Sequence, residues 1–315
     1  MPTRSDLLPR AGAPRSVFSN YGAEPDQAPE GGLADDRSLE GQPDQWAGDA
    51  VPEASCAGGQ DPDATSQTAV ARSFLYRFLA KAYEDPAPAA WEWLCARDTH
   101  TALRAMLEDL DLREPARLAA TAEALLACLS PARFEEFADD YVTAFGHAAR
   151  GRCPLNEIEY GDIKADPLFQ PHRLADLAAF YRAFGLAVTP DATERQDHLC
   201  VELEFMAVLA AKEAYALKNR LDEEASQVCR QTQRKFLREH LARWTPAFAR
   251  RLGRLVGEGA LGRLAALTRE FIESECQHFG LASGSEDLLL RPVDQAAESL
   301  CTSCGMRGSD KMSDE

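Results

Sequence analysis

A charged and apolar segment in the middle of the chain combines residue types that could do chemistry. It runs DHLCVELEFM, from Asp197 to Met206. We expect Asp197 to be the N-cap of a long helix, with its carboxylate accepting hydrogen bonds from free backbone N–H groups. His198 then lies in the first turn, where the positive helix end disfavours a protonated ring. Glu202 lies one turn further along the same face, beside an apolar seam.

Two kinds of catalysis are considered for this segment. His198 and Glu202 have the i, i+4 spacing that can share a metal ion, but no third ligand lies nearby and the H-E-x-x-H pattern is absent. Cys200 and His198 could form a nucleophile and base, but positions i and i+2 diverge on a helix. A capped helix with a solvated acidic face remains an alternative interpretation.

A second group of candidate residues lies in the loop that contains GRCPLNEIEYGD. Glu157, Glu159 and Tyr160 combine carboxylates with an aromatic ring. Arginine forms bidentate bonds with carboxylates and stacks on aromatic rings, so the group could receive a cationic peptide. Together with Glu202 and Glu204, it predicts a site for a partner that carries arginines followed by an apolar run. A plain surface loop is the alternative.

The third group consists of cysteines. The chain has nine, and Cys301 and Cys304 form a CxxC pair near the end of the sequence. One such pair offers two ligands, whereas zinc or an iron–sulfur cluster usually takes four. Cys153 could supply a third ligand and Cys276 a fourth, although Cys276 also fits a helix core. A zinc or iron–sulfur redox protein using Cys153, Cys301 and Cys304 is thus the main alternative function. A redox-active dithiol and an incidental pair also stay open.

The elements that position these groups are predicted to be helical. Apolar residues recur at helical spacing from about residue 67, and no β-branched alternation or Asn-Gly hairpin indicates a strand. Ser130-Pro131 and Thr245-Pro246 are typical helix starts. The prediction is an all-α fold, a single compact multi-helix bundle of roughly nine helices over residues 67–283, with disordered N- and C-terminal tails.

The two tails differ from the bundle in composition. Residues 1–66 hold 8 of the 18 prolines, 8 of the 20 glycines and 12 acidic residues against 4 basic ones. We predict a disordered acidic tail there, with a docking arm as the functional alternative. Residues 284–315 are polar apart from Leu288–Leu290 and are predicted to be a flexible tail that carries the CxxC.

Overall charge and hydropathy exclude several classes of partner. The 315 residues carry a formal net charge of −17, which argues against nucleic acid or an anionic membrane as the main partner. No apolar run approaches the roughly 20 residues needed to cross a bilayer. The first residues lack the apolar stretch of a secretory signal, so we expect a cytoplasmic location without membrane insertion.

Two motifs, in this order within a helical domain, resemble a known family. They are CPLNEIEYG and the D-H-x-x-x-E-L-x-F-M helix start, and FYRAFGL and FLREHLARWTPAF also fit. Over residues 67–280 the chain is similar to the redox-enzyme maturation chaperones of the TorD/DmsD/NarJ group.

This resemblance implies a chaperone rather than an enzyme. Such proteins bind the apo catalytic subunit of a molybdenum-cofactor oxidoreductase of the dimethyl sulfoxide reductase class. Many recognise its twin-arginine signal peptide and hold the subunit until the cofactor is inserted, before export. They occur as monomers or dimers. Carried over by position, the partner-binding candidates are Asp197, His198, Glu202, Glu204, Glu157, Glu159 and Tyr160. No cofactor is implied for the chaperone itself.

Overall fold

The computed structural model describes residues 16–20, 62–111, 113–146, 151–161, 169–189, 192 and 194–291. These residues are mostly helical, which confirms the all-α prediction. The α-helices are α1 (Pro62–Ala82), α2 (Pro88–Cys95), α3 (Arg97–Glu108), α4 (Pro115–Leu126), α5 (Phe134–Phe145), α6 (Phe169–Ala183), α7 (Leu199–Lys218), α8 (Glu223–Phe236), α9 (Ala242–Val256) and α10 (Ala260–His278). No helix among them is both long and apolar enough to span a bilayer.

At the centre of the bundle, helices α1 and α7 lie side by side in antiparallel directions. They contact each other along much of their length. Their close approach follows from small residues on α7, since Ala207, Ala210 and Ala214 are all buried. Side chains of α1 reach the backbone of α7 directly. Ser73 Oγ donates to the carbonyl of Ala207 at 2.8 Å, and Ser66 Oγ donates to that of Ala214 at 3.2 Å. Helix α8 packs on α7, helices α2, α3 and α10 contact α1, and α9 packs on α10.

A fully buried ion network ties four of these helices together. Arg72 of α1 contacts Glu275 of α10 at 2.6 Å and Glu213 of α7 at 3.1 Å. Its third donor group bonds Gln233 of α8 at 2.7 Å, and Tyr76 also donates to Glu275. Burial of the Glu275 carboxyl would raise its pKa, but the charge and hydrogen bonds of Arg72 outweigh that effect, and the pKa is lowered. The second carboxylate, Glu213, also pairs with the partly exposed Arg230 at 3.0 Å.

Helices α8 and α9 run into each other through a π-helical turn, Leu237–Leu241. The prediction that Thr245-Pro246 opens a helix is therefore wrong, because Pro246 lies inside α9. A proline cannot bond the carbonyl four residues before it. That carbonyl, on Ala242, instead accepts a hydrogen bond from Gly284 N at 3.0 Å. Counted as one rod, α8 and α9 bring the described helices to the nine expected.

A small sheet was not predicted. Strand β1 (Phe18–Asn20) pairs antiparallel with β2 (Leu186–Val188), and Phe18 is opposite Val188. Residues 16–20 fall in the segment predicted to be disordered, and α1 begins at Pro62 rather than near 67. The prediction of a disordered tail is thus wrong for these residues, and the rest of 1–61 lies outside the described part of the chain.

The segment that follows α10 is also more ordered than predicted. Tyr160 and Leu290 form an isolated β-bridge, Gly161 N donates to Leu289 O at 3.0 Å, and Arg291 N donates to Glu159 O at 2.9 Å. Residues 284–291 therefore lie against the 151–161 loop, whereas a flexible tail was expected. Residues 292–315, including Cys301 and Cys304, lie outside the described residues.

Candidate functional site

The two sequence motifs that carry the family resemblance lie side by side. The loop 151–161 contains a 3₁₀ turn at Glu157–Glu159, and it pairs with the residues that begin α7. Asn156 and His198 form an antiparallel bridge. Glu157 N donates to Asp197 O at 2.9 Å, and Leu199 N donates to Leu155 O at 2.8 Å. The fold thus brings the predicted loop site and the predicted helix-start site into one site.

Asp197 is fully buried and does not cap α7. Its carboxylate accepts hydrogen bonds from Asn156 Nδ2 at 3.2 Å, from Ile158 N at 3.3 Å, and from two nitrogens of Arg195 at 2.9 Å each. The prediction that it is the N-cap is therefore wrong. Its carboxylate does accept from one backbone N–H, but that of Ile158 in the neighbouring loop rather than one of its own helix. Asp197 fixes the loop to the start of α7.

His198 is the N-cap of α7. Its Nδ1 accepts a hydrogen bond from Cys200 N at 3.3 Å and lies 2.9 Å from Cys200 Sγ. Because a cap residue has extended backbone dihedrals, the expectation that His198 and Cys200 diverge does not hold. Burial lowers the pKa of His198 to about 4, so the ring is neutral near pH 7 and can accept. Burial also raises the pKa of the Cys200 thiol, which makes it a poor nucleophile.

Glu157 is fully buried, contrary to the predicted surface carboxylate. Its Oε2 lies 2.9 Å from His240 Nδ1, and its Oε1 accepts a short hydrogen bond from Arg173. On its other side, His240 Nε2 lies 3.1 Å from Asp176 Oδ2. Burial alone would raise the pKa of Glu157, but bonding and charge from His240 and Arg173 outweigh it and lower that pKa. The Glu157 carboxylate is therefore bonded to side chains of α6 and of the π-helical turn.

Glu202 lies in the same interior but has the opposite protonation preference. Trp244 Nε1 donates to its Oε2 at 3.2 Å, and its Oε1 has no hydrogen-bond partner among the described residues. Burial, together with repulsion from Glu157 and Asp197, raises the pKa of Glu202 well above its usual range. Burial therefore favours the protonated, uncharged form of this side chain, which makes Glu202 a poor member of an acidic face.

Tyr160 and Glu159 complete the predicted loop group. Tyr160 is fully buried, donates its hydroxyl to Pro154 O at 2.8 Å and packs against Trp244 with ring centres 5.1 Å apart. Glu159 is half-buried, and its carbonyl holds Arg291. Asp197, Glu157, Glu202 and Tyr160 are thus all inside the protein. The expected open face of carboxylates and an aromatic ring is not formed by these residues.

Glu204 is the predicted site residue that contacts an extended segment of chain. Its carboxylate accepts hydrogen bonds from Ser16 Oγ and, at 3.1 Å, from Val17 N. It therefore binds the segment that forms β1. The side chain is only partly buried. Of the seven predicted partner-binding residues, Glu204 is the one whose observed bonds resemble those made to a bound peptide.

Cys153 does not have the surroundings of a metal ligand. It is fully buried, and its Sγ lies 3.8 Å from both Tyr160 OH and Phe248 O. Burial raises its pKa to about 12, so the thiolate needed for zinc or an iron–sulfur cluster is disfavoured. Within the described ranges, no group of three or more His, Cys, Asp or Glu side chains could hold a metal ion. Cys153 belongs to the core.

Sequence reasoning missed the side chains that bond the buried carboxylates of the site. Arg173, His240 and Trp244 come from α6, the π-helical turn and α9, far from Glu157 and Glu202 in sequence. His240 and Trp244 lie within FLREHLARWTPAF, which was noted as similar to the family but given no role. A carboxylate on an apolar helix face needs a buried hydrogen-bond donor. This requirement was the signal in the sequence that could have predicted these partners.

Comparison with known proteins covers the segment that contains this site. The family model described as the nitrate reductase delta subunit matches residues 111–250. The chain is 30% identical over 145 residues to the perchlorate reductase assembly chaperone of Dechloromonas aromatica (strain RCB), 46% of this chain and 62% of that protein. It is 42% identical over 113 residues to the selenate reductase assembly chaperone of Thauera selenatis, 36% of this chain and 55% of that protein.

A third relative is the chaperone protein TorD of Vibrio cholerae serotype O1 (strain M66-2), 28% identical over 142 residues, 44% of this chain and 60% of that protein. These matches show that the segment around residues 111–250 is similar to the nitrate reductase delta subunit family and to TorD. The relatives' names describe chaperones, and two of them name the assembly of a reductase. The matched regions span about three fifths of the relatives' own lengths.

Proposed function

We propose that this protein is an assembly chaperone for the catalytic subunit of a molybdenum-cofactor oxidoreductase of the dimethyl sulfoxide reductase class. One observation carries the proposal. The family match over residues 111–250 includes both the 151–161 loop and the start of α7, and relatives so matched are assembly chaperones of perchlorate and selenate reductases. The chaperone acts in the cytoplasm on the apo subunit, before export and cofactor insertion.

The charge of the protein supports a basic client segment. The formal net charge is −17, which attracts a positively charged peptide and accelerates encounter. We infer that the recognised segment includes the twin-arginine signal peptide of the client, since arginines pair well with carboxylates. The buried residues Glu157, Asp197 and Glu202 hold the site in shape, while a partly exposed carboxylate such as Glu204 meets the client.

Co-purification from the native source tests the function. Tagged protein is recovered from cells grown under anaerobic respiratory conditions, and the bound proteins are identified by mass spectrometry. We expect a molybdenum oxidoreductase subunit that retains its signal peptide or lacks its cofactor, absent from an untagged control.

A matched variant shows whether the capture is specific. Glu123→Ala changes an exposed carboxylate that pairs with Arg104 on another surface, so the client should still be recovered. Recovery of no such subunit by the unaltered protein, from cells that express the oxidoreductase, contradicts the proposed function. Size measurement of the free and client-bound protein then decides between monomer and dimer.

A further inference from the structure

The N-terminal segment occupies an edge of β2 that would otherwise be open for pairing. Phe18, Ser19 and Asn20 pair antiparallel with Val188, Ala187 and Leu186. Thr189 N extends the pairing by donating to Val17 O at 2.9 Å. Such main-chain pairing accepts many sequences, which is how extended peptides add to a sheet edge in other proteins.

An aromatic pocket beside this edge gives the pairing side-chain selectivity. Phe18 is buried and packs edge-to-face on Tyr181, with ring centres 5.0 Å apart, and on Phe205 at 6.4 Å. Val17 is buried as well, while Ser19 is exposed. A side chain at the position of Phe18 thus decides how well a strand fits, whereas the next one faces solvent.

Carboxylates gather where the segment enters this groove. Glu204 bonds Ser16 and Val17 N, as described above. Burial, reinforced by the nearby charges of Glu204 and Glu194, raises the pKa of Glu84. Lys81 pairs with Glu84 at 2.5 Å, so Glu194 and Glu204 supply the negative charge beyond this ion pair at this end of the groove, and the residue that precedes Ser16 in the sequence is an arginine.

We propose that this groove is a docking surface for an extended client segment, and that residues 16–20 occupy it until a client displaces them. The groove consists of the β2 edge, the pocket of Tyr181 and Phe205, and the Glu84, Glu194 and Glu204 end. The fitting segment has a basic residue followed a few positions later by a large apolar one. That the occupant comes from a client rests on the proposed function.

Few contacts hold residues 16–20 in the groove, so a client segment can displace them. These contacts are the strand bonds to β2, the bonds to Glu204 and the burial of Val17 and Phe18, and the conformational entropy lost on ordering an extended segment offsets part of their stabilisation. A segment of the same chain nevertheless competes strongly, because covalent attachment raises its local concentration. A client segment must therefore bind better than the internal strand, which rejects weak peptides.

The groove is tested first with no client. The full-length protein is compared with Phe18→Ala, which weakens the internal strand, and with Ser19→Ala, a control on its exposed side. The probe is a fluorescent peptide that copies residues 10–24 of this chain. We expect Phe18→Ala to bind it on the order of tenfold more tightly than the unaltered protein, because the competent fraction rises. Ser19→Ala should bind like the unaltered protein.

Hydrogen exchange locates the peptide. Amides of residues 186–189 should exchange faster in Phe18→Ala and regain protection when the peptide is added. A peptide with alanine at the Phe18 position should restore little protection. Thermal unfolding monitored by circular dichroism confirms that the variant is folded. If the peptide leaves residues 186–189 unprotected in a folded Phe18→Ala protein, the groove does not accept strands and the proposal is wrong.

An experiment with a client protein distinguishes failure of the groove proposal from failure of the proposed chaperone function. With a co-purified client subunit, we expect residues 16–20 to lose protection while residues 186–189 stay protected. A client that binds with residues 16–20 still protected overturns the groove and leaves the chaperone function standing. Conversely, a protein that captures no client can still bind the peptide probe. Concentration-dependent dimers that exchange β1, with no displacement by a client, would assign the groove to a second copy and overturn the proposal.

Discussion

Asp197→Ala should destabilise the folded protein rather than only weaken partner binding. From the sequence alone, Asp197 was expected to be the N-cap of a long helix and a partner-binding residue. In the structure Asp197 is fully buried and holds the 151–161 loop against α7. We therefore expect Asp197→Ala to lower the free energy of unfolding.

The magnitude follows from the three partners. Loss of the acceptor for Ile158 N leaves a buried donor unsatisfied, which costs about 1–3 kcal/mol. The bond from Asn156 is worth about 1 kcal/mol. Arg195 is 49% exposed, so its bidentate pair adds at most about 1 kcal/mol. The sum is about 3 kcal/mol, which corresponds to a urea midpoint lower by about 1 M for a slope near 3 kcal/mol/M.

Equilibrium urea unfolding, followed by far-UV circular dichroism, measures this change. Arg195→Ala is the matched control, since it removes the exposed partner and leaves the buried bonds, and it should cost less than about 1 kcal/mol. An Asp197→Ala midpoint equal to that of the unaltered protein would refute the assignment of Asp197 to the loop contact. Equal losses in the two variants would place the stabilisation in the ion pair instead.

Three further predictions concern the buried charges. Arg72→Met should cost about 3–5 kcal/mol in urea unfolding because it removes the buried ion pair of Glu275, while Glu213 keeps its pair with Arg230; the exposed-pair variant Arg104→Ala should cost less than about 1 kcal/mol. Glu202→Gln should raise the free energy of unfolding at pH 7 and not at pH 4. Because the pKa of Glu202 is raised in the folded protein, the free energy of unfolding of the unaltered protein falls as pH rises above the ordinary glutamate pKa. If Glu202→Gln is also more stable than the unaltered protein at pH 4, the raised pKa is not the cause. His198→Asn should flatten the loss of stability between pH 6.5 and 4, where unfolded but not folded His198 takes up a proton; an unchanged pH profile would show that His198 does not cause that loss.

The helical fold could be predicted because its signals are local. Apolar spacing on α1 places Ala71, Leu75 and Leu79 on one face, and all three are buried. The strand β1 could not be predicted in the same way. Its three residues pair with β2, which is far away in sequence, and they lie in a segment rich in proline and glycine. The apolar pair Val17-Phe18 was a weak signal, and only the tertiary partner gives it meaning.

The residues of the candidate site lie together in the structure, but several of them have bonding partners other than those predicted. The 151–161 loop and the start of α7 do contact each other, as the shared prediction of one peptide site required. Spacing could show that the carboxylate of Asp197 would accept backbone N–H groups, yet it could not show whose. The same kind of hydrogen bond, from a backbone N–H to a carboxylate, forms in a helix cap and in a contact between a loop and a helix. Likewise, Glu157 reads as a surface carboxylate until His240 and Arg173 are placed beside it.

Burial divides the acidic residues of the site into two roles. Glu157 and Asp197 already have bonding partners, and burial favours the uncharged form of Glu202, so pairing any of the three with an arginine of a client would cost bonds or burial that stabilise the fold. Glu204 is partly exposed and already binds a backbone N–H of an extended segment. Since buried carboxylates are costly to expose, this division favours the groove proposed beside β2 as the surface that meets a client. In that proposal the motif that is visible in the sequence supports the peptide site, and the surface that meets the peptide lies next to it.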